Sequence, residues 1–150
     1  MGLKLGLDGK LYRNSAVTYA TPTWDLIGNV KDVTLNLETG EADVSTRGNN
    51  GWRATVGTLK DASIEFDMVW DTGDADFTAI KDAFFNGTTV DLAVMDGLIT
   101  GAGSTGSEGL RAVCRITTFS RNEALEEAIT VSVTAKPAYS VNPPVWMVVP

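Results

Sequence analysis

Apolar and polar residues alternate with a period of two along most of this chain. Val33, Leu35 and Leu37 alternate with Thr34, Asn36 and Glu38, and beyond Gly40, Ala42 and Val44 alternate with Glu41, Asp43 and Ser45. Ala62, Ile64, Phe66, Met68 and Trp70 alternate with Ser63, Glu65 and Asp67, and Ile129, Val131, Val133 and Ala135 with Thr130, Ser132, Thr134 and Lys136. Such alternation predicts sheet strands with one dry and one wet face. The pattern places strands at about 31–38 and 41–46, joined by a tight turn at Thr39-Gly40. Further strands are expected around Val90, Leu92 and Val94, at 110–119 and at 128–136.

Between the strands other signals take over. Asp8-Gly9, between Leu5, Leu7 and Leu11, predicts a small hairpin over residues 3–12. Residues 14–23 are polar, reach Pro22 and read as a loop. Residues 46–58, TRGNNGWRATVGT, lack clean periodicity and predict a long docking loop with Trp52 near its tip. Phe77, Ile80, Ala83 and Phe84 have helical spacing and predict one helix at about 74–86. Thr72 or Asp74 is the expected N-cap, and Asn86-Gly87 the stop. Residues 96–109 form a Gly- and Ser-rich loop, and the apolar tail from Asn142 is kept extended by Pro143 and Pro144. Many strands with a single helix leave parallel crossovers out. The expected fold is mainly β: a two-sheet β-sandwich or partly open barrel in a single domain over 1–150. It carries one flanking α-helix, the long loop 46–58 and extended terminal arms.

Composition narrows the chemistry. The chain of 150 residues is 43% hydrophobic and 21% charged, with no histidine and one cysteine. Histidine-based triads and most zinc sites are therefore excluded. Cys114 shares a face with Leu110, Ala112 and Ile116 and reads as a buried strand residue. The run from Asp71 to Asp76 lacks the order of an EF-hand loop and the distal glutamate, so it reads as the charged start of the helix. Residues 96–109 lack the Gly-Lys-Ser/Thr ending of a phosphate loop. No cofactor and no metal is expected. The net charge of −7 argues against a general nucleic-acid binder. The N-terminus lacks a signal-peptide core, and no apolar run approaches the ~20 residues of a membrane span. A soluble protein made in a cytoplasm is expected, with no membrane insertion.

Three stretches resemble one known family. They are Trp24-Asp25-Leu26-Ile27-Gly28-Asn29-Val30-Lys31-Asp32-Val33, the segment from Asp43-Val44-Ser45-Thr46-Arg47 through Gly51-Trp52, and the strand from Leu59 to Phe66. In order and spacing they are similar to the tail tube (major tail) proteins of tailed bacteriophages, and the similarity runs over nearly the whole chain. The resemblance implies a β-sandwich with a flanking helix. It also implies hexameric rings whose inner sheets join into one barrel and stack into a tube that the genome passes through. Such a protein is a structural part of the virion tail and assembles in the bacterial host cytoplasm. Its partners are its own copies and other tail proteins (initiator, terminator and tape measure), and DNA crosses the lumen without specific binding.

On that reading the wet faces become the lumen wall: Asp32, Thr34, Asn36 and Glu38; Glu41, Asp43 and Ser45; Ser63, Glu65 and Asp67; Thr130, Ser132 and Thr134. The expected subunit contacts are Arg47, Trp52 and Arg53 on the loop and Val145, Trp146 and Met147 on the tail. The alternative is a monomeric β-sandwich binding module, for instance for carbohydrate, with Trp24, Trp52, Trp70 and Trp146 as a stacking platform. An enzyme is a third reading, since pairs such as Glu65/Asp67 or Glu41/Asp43 lie two apart on strands. Electrostatic lining is the simpler account of those acids.

Overall fold

The long alternating runs form an antiparallel ladder of eight strands in the computed structural model, which describes residues 3–16 and 18–150. The strands are β1 (Lys10–Asn14), β2 (Trp24–Leu26), β3 (Val30–Asp43), β4 (Thr55–Val69), β5 (Thr89–Met95), β6 (Glu108–Asn122), β7 (Thr130–Pro137) and β8 (Val145–Val148). The one helix, α1, spans Ala75–Asn86. Strand order is β2-β1-β5-β6-β7-β4-β3, with β8 also paired to β6. The two expected sheets are thus one bent ladder that is not closed into a barrel.

β6 belongs to both halves of the sandwich. Residues 109–115 pair with β5, and residues 114–122 pair with β7 with a register irregularity between Ile116 and Thr118. A bulge bends a strand and adds twist, so the sheet turns its corner here. The dry faces of both halves, from Leu11 and Leu92 to Ile64, Phe66, Met68, Val131 and Val133, then share one core with Leu110, Ala112, Cys114 and Ile116. Helix α1 adds Phe77, Ile80 and Ala83 to it, with Phe77 edge-on to Trp70 at 4.9 Å. Asp74 holds the N-cap position, but its carboxylate makes no capping bond. Its backbone carbonyl accepts the Thr78 N–H instead. Gly87 ends the helix at φ 67° and donates to the Ala83 carbonyl, a turn that glycine adopts without strain.

Two buried ion pairs fix the flank. The Arg13 Nε donates to Asp76 at 2.8 Å and ties the first turn of α1 to β1. Burial pushes the Asp76 carboxyl up, and the Arg13 charge opposes that shift. Arg111 lies 2.6 Å from Asp91, donates to the Tyr19 carbonyl and stacks 3.6 Å over the Tyr19 ring. Asn14 donates to Asp91 and to the Thr18 carbonyl, and its Oδ1 accepts from the backbone N–H groups of Ala16 and Thr23. These bonds hold the expected polar loop 14–23 against the sheet. Val17 in that loop, like Met1 and Gly2, lies outside the described residues.

Four sequence expectations are corrected. Thr39-Gly40 is not a turn: β3 runs straight through it, with a bulge opposite Gly40, because Thr39 still pairs with Lys60 and Glu41 pairs with Gly57. A Cβ on Gly40 would lie 2.5 Å from the Thr58 hydroxyl, so this glycine serves close approach rather than chain reversal. Residues 3–12 form no hairpin; a single 3-10 turn over Gly6–Asp8 leads into β1, which pairs with β2 and β5. The loop 46–58 is shorter than expected, since β4 already begins at Thr55. The C-terminal tail is no free arm either. Val145–Val148 pairs with Glu108–Arg111 of β6, and Met147 and Val149 cover Tyr12, Ala93 and Met95.

Gly109 sits where β5, β6 and β8 meet, and a Cβ there would lie 1.7 Å from the Val94 carbonyl oxygen. Gly109→Ala must therefore push β5 and β6 apart. It is expected to cost about 3 kcal/mol or more and to lower the melting temperature by roughly 10 °C in a calorimetric scan. An unchanged melting temperature would contradict the packing described.

Candidate functional site

The wall of the core holds the only thiol, and the fold makes it inert. Cys114 is fully buried, and desolvation, helped by the Asp91 charge, pushes its pKa up to about 12. A thiol held protonated is no nucleophile. The four tryptophans sit in four different places: Trp70 in the core, Trp24 beside Arg111, Trp52 at a hairpin tip and Trp146 on β8. They make no common stacking platform.

Two surface features remain without an intramolecular task. The first is the β3–β4 hairpin. β4 pairs with β7 only from Ile64 to Val69, so residues 55–63 have β3 as their only ladder partner. Ala62 still belongs to the core, so the free ribbon runs from Thr55 to Asp61 and projects roughly 23 Å at ~3.3 Å per residue. Leu37, Val44, Val56 and Leu59 on it are exposed, and so is Trp52 at its tip. A two-stranded ribbon is marginal in water by itself, and exposed apolar side chains along it call for a cover. The tip is nonetheless ordered. Asn49 Nδ2 donates to the Trp52 carbonyl at 2.8 Å, and the Trp52 N–H donates to the Asn49 carbonyl at 3.0 Å. Asn50 and Gly51 turn the chain at φ 52° and 80°.

The second feature is the polar face of β3, β4, β7 and β6, opposite the core. Its cross-strand neighbours are Thr34 and Glu65, Asn36 and Ser63, Glu38 and Asp61, then Glu65 and Thr134, Asp67 and Ser132. The face continues through Thr118 and Ser120 on β6. Ser132 donates to Asp67 at 2.8 Å, and Asn36 to Ser63 at 3.2 Å.

The expected lumen set is therefore divided. Thr34, Asn36, Glu38, Ser63, Glu65, Asp67, Thr130, Ser132 and Thr134 share this one face. Asp32 does not: it lies in a bulge at φ 39°, and Lys31 takes the place opposite Asp67. Glu41 and Asp43 follow Glu38 on an unbroken strand at odd positions, so alternation carries them to the other side of the ribbon. Ser45 lies past the strand end, where its hydroxyl accepts the Ala54 N–H. Ser45 also hydrogen-bonds Asp43 through side chain and backbone, which lowers the Asp43 pKa. The expected set left out the bases. Lys31 stands opposite Asp67, and Lys136 pairs with Arg115 at the end of the same face. With Asp61 added, the face is mixed rather than purely acidic. Arg47, Trp52 and Arg53 are brought together at the ribbon tip, as expected, and all three are exposed. Val145, Trp146 and Met147 lie apart from them on β8.

Comparison with known proteins adds the family. The sequence profile described as phage tail tube protein matches residues 12–138. The chain belongs to the phage tail tube protein family. No curated protein matches it in sequence. Among solved structures it is similar to the tail of an empty gene transfer agent particle of C6 symmetry, at TM-score 0.67 and 16% identity over 94% of this chain and 98% of that one. The SPP1 tail tube matches at TM-score 0.67 and 20% identity, over 89% and 75%. The tube–sheath complex of an extracellular contractile injection system matches at TM-score 0.60 and 8% identity, over 99% and 93%. At these identities the likeness speaks for the fold alone.

As a tail tube protein the chain is a structural component of the virion tail and not an enzyme. Its thiol chemistry should reflect that. Cys114 is expected to react with an aromatic disulfide reagent at least ~100-fold more slowly in the folded protein than in denaturant. Fast reaction under native conditions would show that β6 opens locally.

Proposed function

We propose that this tail tube protein assembles into six-membered rings that stack into a hollow tube, with the face of β3, β4, β7 and β6 turned to the channel. The observation that carries this reading is the β3–β4 ribbon, which leaves the body with apolar side chains that no described residue of the chain covers. A second copy is the natural cover. Sixfold symmetry is carried over from the gene transfer agent tail, which shares the fold. Strand edges left open in the monomer become paired or covered in a closed ring, and an obligate interface of this type buries more than ~2,000 Å². Initiator, terminator and tape-measure proteins of the tail are the further partners.

The channel wall would be polar and weakly acidic. Glu38, Asp61, Glu65 and Asp67 stand against Lys31, Lys136 and Arg115, with Ser and Thr between them. Repetition around a ring places every one of these charges on all sides of the passage. DNA inside meets hydroxyls and carboxylates rather than an array of Lys and Arg able to hold its phosphates. Screening limits the effect to about 8 Å at physiological salt, enough to act at a narrow wall. The genome then slides.

Trp52→Ala tests the assembly. The side chain is 77% exposed, so the isolated subunit should keep its stability within about 0.5 kcal/mol, while ring or tube formation weakens by ~2 kcal/mol or more. Light scattering after size exclusion reports the oligomer, and electron microscopy the tube. A wild-type chain that stays monomeric at high concentration and with initiator proteins would overturn the reading.

The wall is tested by Glu65→Lys with Asp67→Lys. Tubes should still form, since both residues face away from the core, but tails built from them should release DNA more slowly. Release at the wild-type rate, or a tube reconstruction with these side chains on the outside, would remove the face from the channel.

A further inference from the structure

The two ends of the strand stack carry opposite chemistry. At one end lies the ribbon tip, residues 44–54, which contains Arg47 and Arg53, Trp52, and no acid. Neither arginine takes part in an ion pair among the described residues. A shallow hollow lined by Ser45, Thr46, Arg47, Gly51, Trp52 and Arg53 marks the surface between them.

β4 runs from this tip to the far end of the molecule, where Val69 pairs with Thr130 and Thr130 with Asn122. There the β6–β7 turn presents Glu123, Glu126 and Glu127 around Leu125, which is 100% exposed. Arg121, the base next to this turn, is already engaged: it pairs with Glu123 at 3.3 Å and lies 5.0 Å over the Trp70 ring. Glu126 and Glu127 carry no ion pair among the described residues. The turn is anchored, since Trp70 donates to the Ile129 carbonyl and Glu127 to the Ala124 carbonyl. Asp71 and Asp74, just past the end of β4, add negative charge at the same end.

We propose that the ribbon tip of one copy docks on the β6–β7 turn of a second copy, with Trp52 against Leu125 and with Arg47 and Arg53 toward Glu126 and Glu127. The proposal rests on the ring-and-tube reading and names the surface that receives the ribbon. Each part fits the other: an aromatic between two cations meets an aliphatic side chain beside carboxylates, and arginine and tryptophan dominate interface energy. An ordered tip loses little freedom on docking. The two patches lie at opposite ends of one molecule, so the contact is heterologous and repeats along the strand direction instead of closing on itself. Stacking follows from it. Fifteen residues of β4 set the spacing of the two ends at roughly 50 Å.

Charge reversal with complementation tests this. The tip variant carries Arg47→Glu and Arg53→Glu; the turn variant carries Glu126→Lys and Glu127→Lys. All four positions are exposed, and each variant is first shown to melt as wild type does. Either variant alone should need at least ~10-fold more protein to form tubes, as judged by electron microscopy and light scattering, with initiator proteins supplied. An equimolar mixture should recover assembly, because each tip then meets a turn of opposite charge in alternating copies. The chain carrying all four substitutions should also assemble. Normal tubes from either variant alone, or a mixture that fails to recover while wild type polymerises, overturns the docking assignment and leaves the tube reading standing. Absence of tubes from wild type overturns that reading and the docking with it.

Discussion

Everything in this fold hangs on β6. It pairs with β5, β7 and β8, and its dry face is built from Leu110, Ala112, Cys114 and Ile116. One strand can serve both halves of the sandwich only by bending, and the irregularity between Ile116 and Thr118 is where it bends. Past the bend the aromatic Phe119 returns to the core side, within 6.2 Å of Phe77 and 5.8 Å of Phe84. Helix α1 is thereby clamped against the corner it covers. The close contact at Gly109 belongs to the same logic. Three strands converge there, and any side chain would hold them apart.

Most strands were legible because burial on one face forces a period of two, and that period survives in Ala62–Met68 and Val131–Ala135 without interruption. Helix α1 was legible for the corresponding reason at a period of 3.6. What failed was local punctuation. Gly40 reads as a turn, yet glycine serves a close cross-strand approach equally well, and only the partner strand decides which. The Asp8-Gly9 pair failed for another reason: it closes a 3-10 turn instead of joining two strands. β8 could not be read at all, because Val145–Val148 has no alternation. Its strand state comes from the free edge of β6, which lies far away in sequence. The polar face was half legible. Alternation found Thr34, Asn36, Glu65 and Ser132, but one bulge at Asp32 moved Lys31 into the row, and an unbroken β3 moved Glu41 and Asp43 out of it. A single-residue shift flips every side chain beyond it.

The ribbon is the place where the subunit gives up its own stability. Apolar residues on a two-stranded hairpin contribute nothing to the monomer, and the chain could have been shortened there without touching the core. Leu37 lies at its root, beside a groove of about 400 Å³ that Ala62, Leu110 and Trp146 also line. The root and the tip are thus both unfinished surfaces. The β6-centred core contains none of the exposed ribbon residues Val44, Trp52, Val56 and Leu59. On the proposed reading, folding and assembly therefore draw on different residues.

The charge on the polar face can be weighed in the same physical terms. A wall made only of carboxylates would repel DNA, but in a ring it would also repel itself, since each acid meets its own copies at close range. Lys31 opposite Asp67 and Lys136 near the Ser63 end relieve that repulsion locally. They form no continuous basic row: Lys31 faces Asp67, and Lys136, although paired with Arg115, also borders Asn36, Glu38, Asp61 and Ser63. On the proposed channel reading, the phosphates of a passing duplex would see a field that averages near neutral with a negative bias, and a Debye length of about 8 Å would blur the individual charges further. Low friction would then follow from the absence of deep wells rather than from strong repulsion. The interleaving of acids, bases and hydroxyls on this face would for that reason suit a sliding surface better than the expected set of acids and small polar residues without bases.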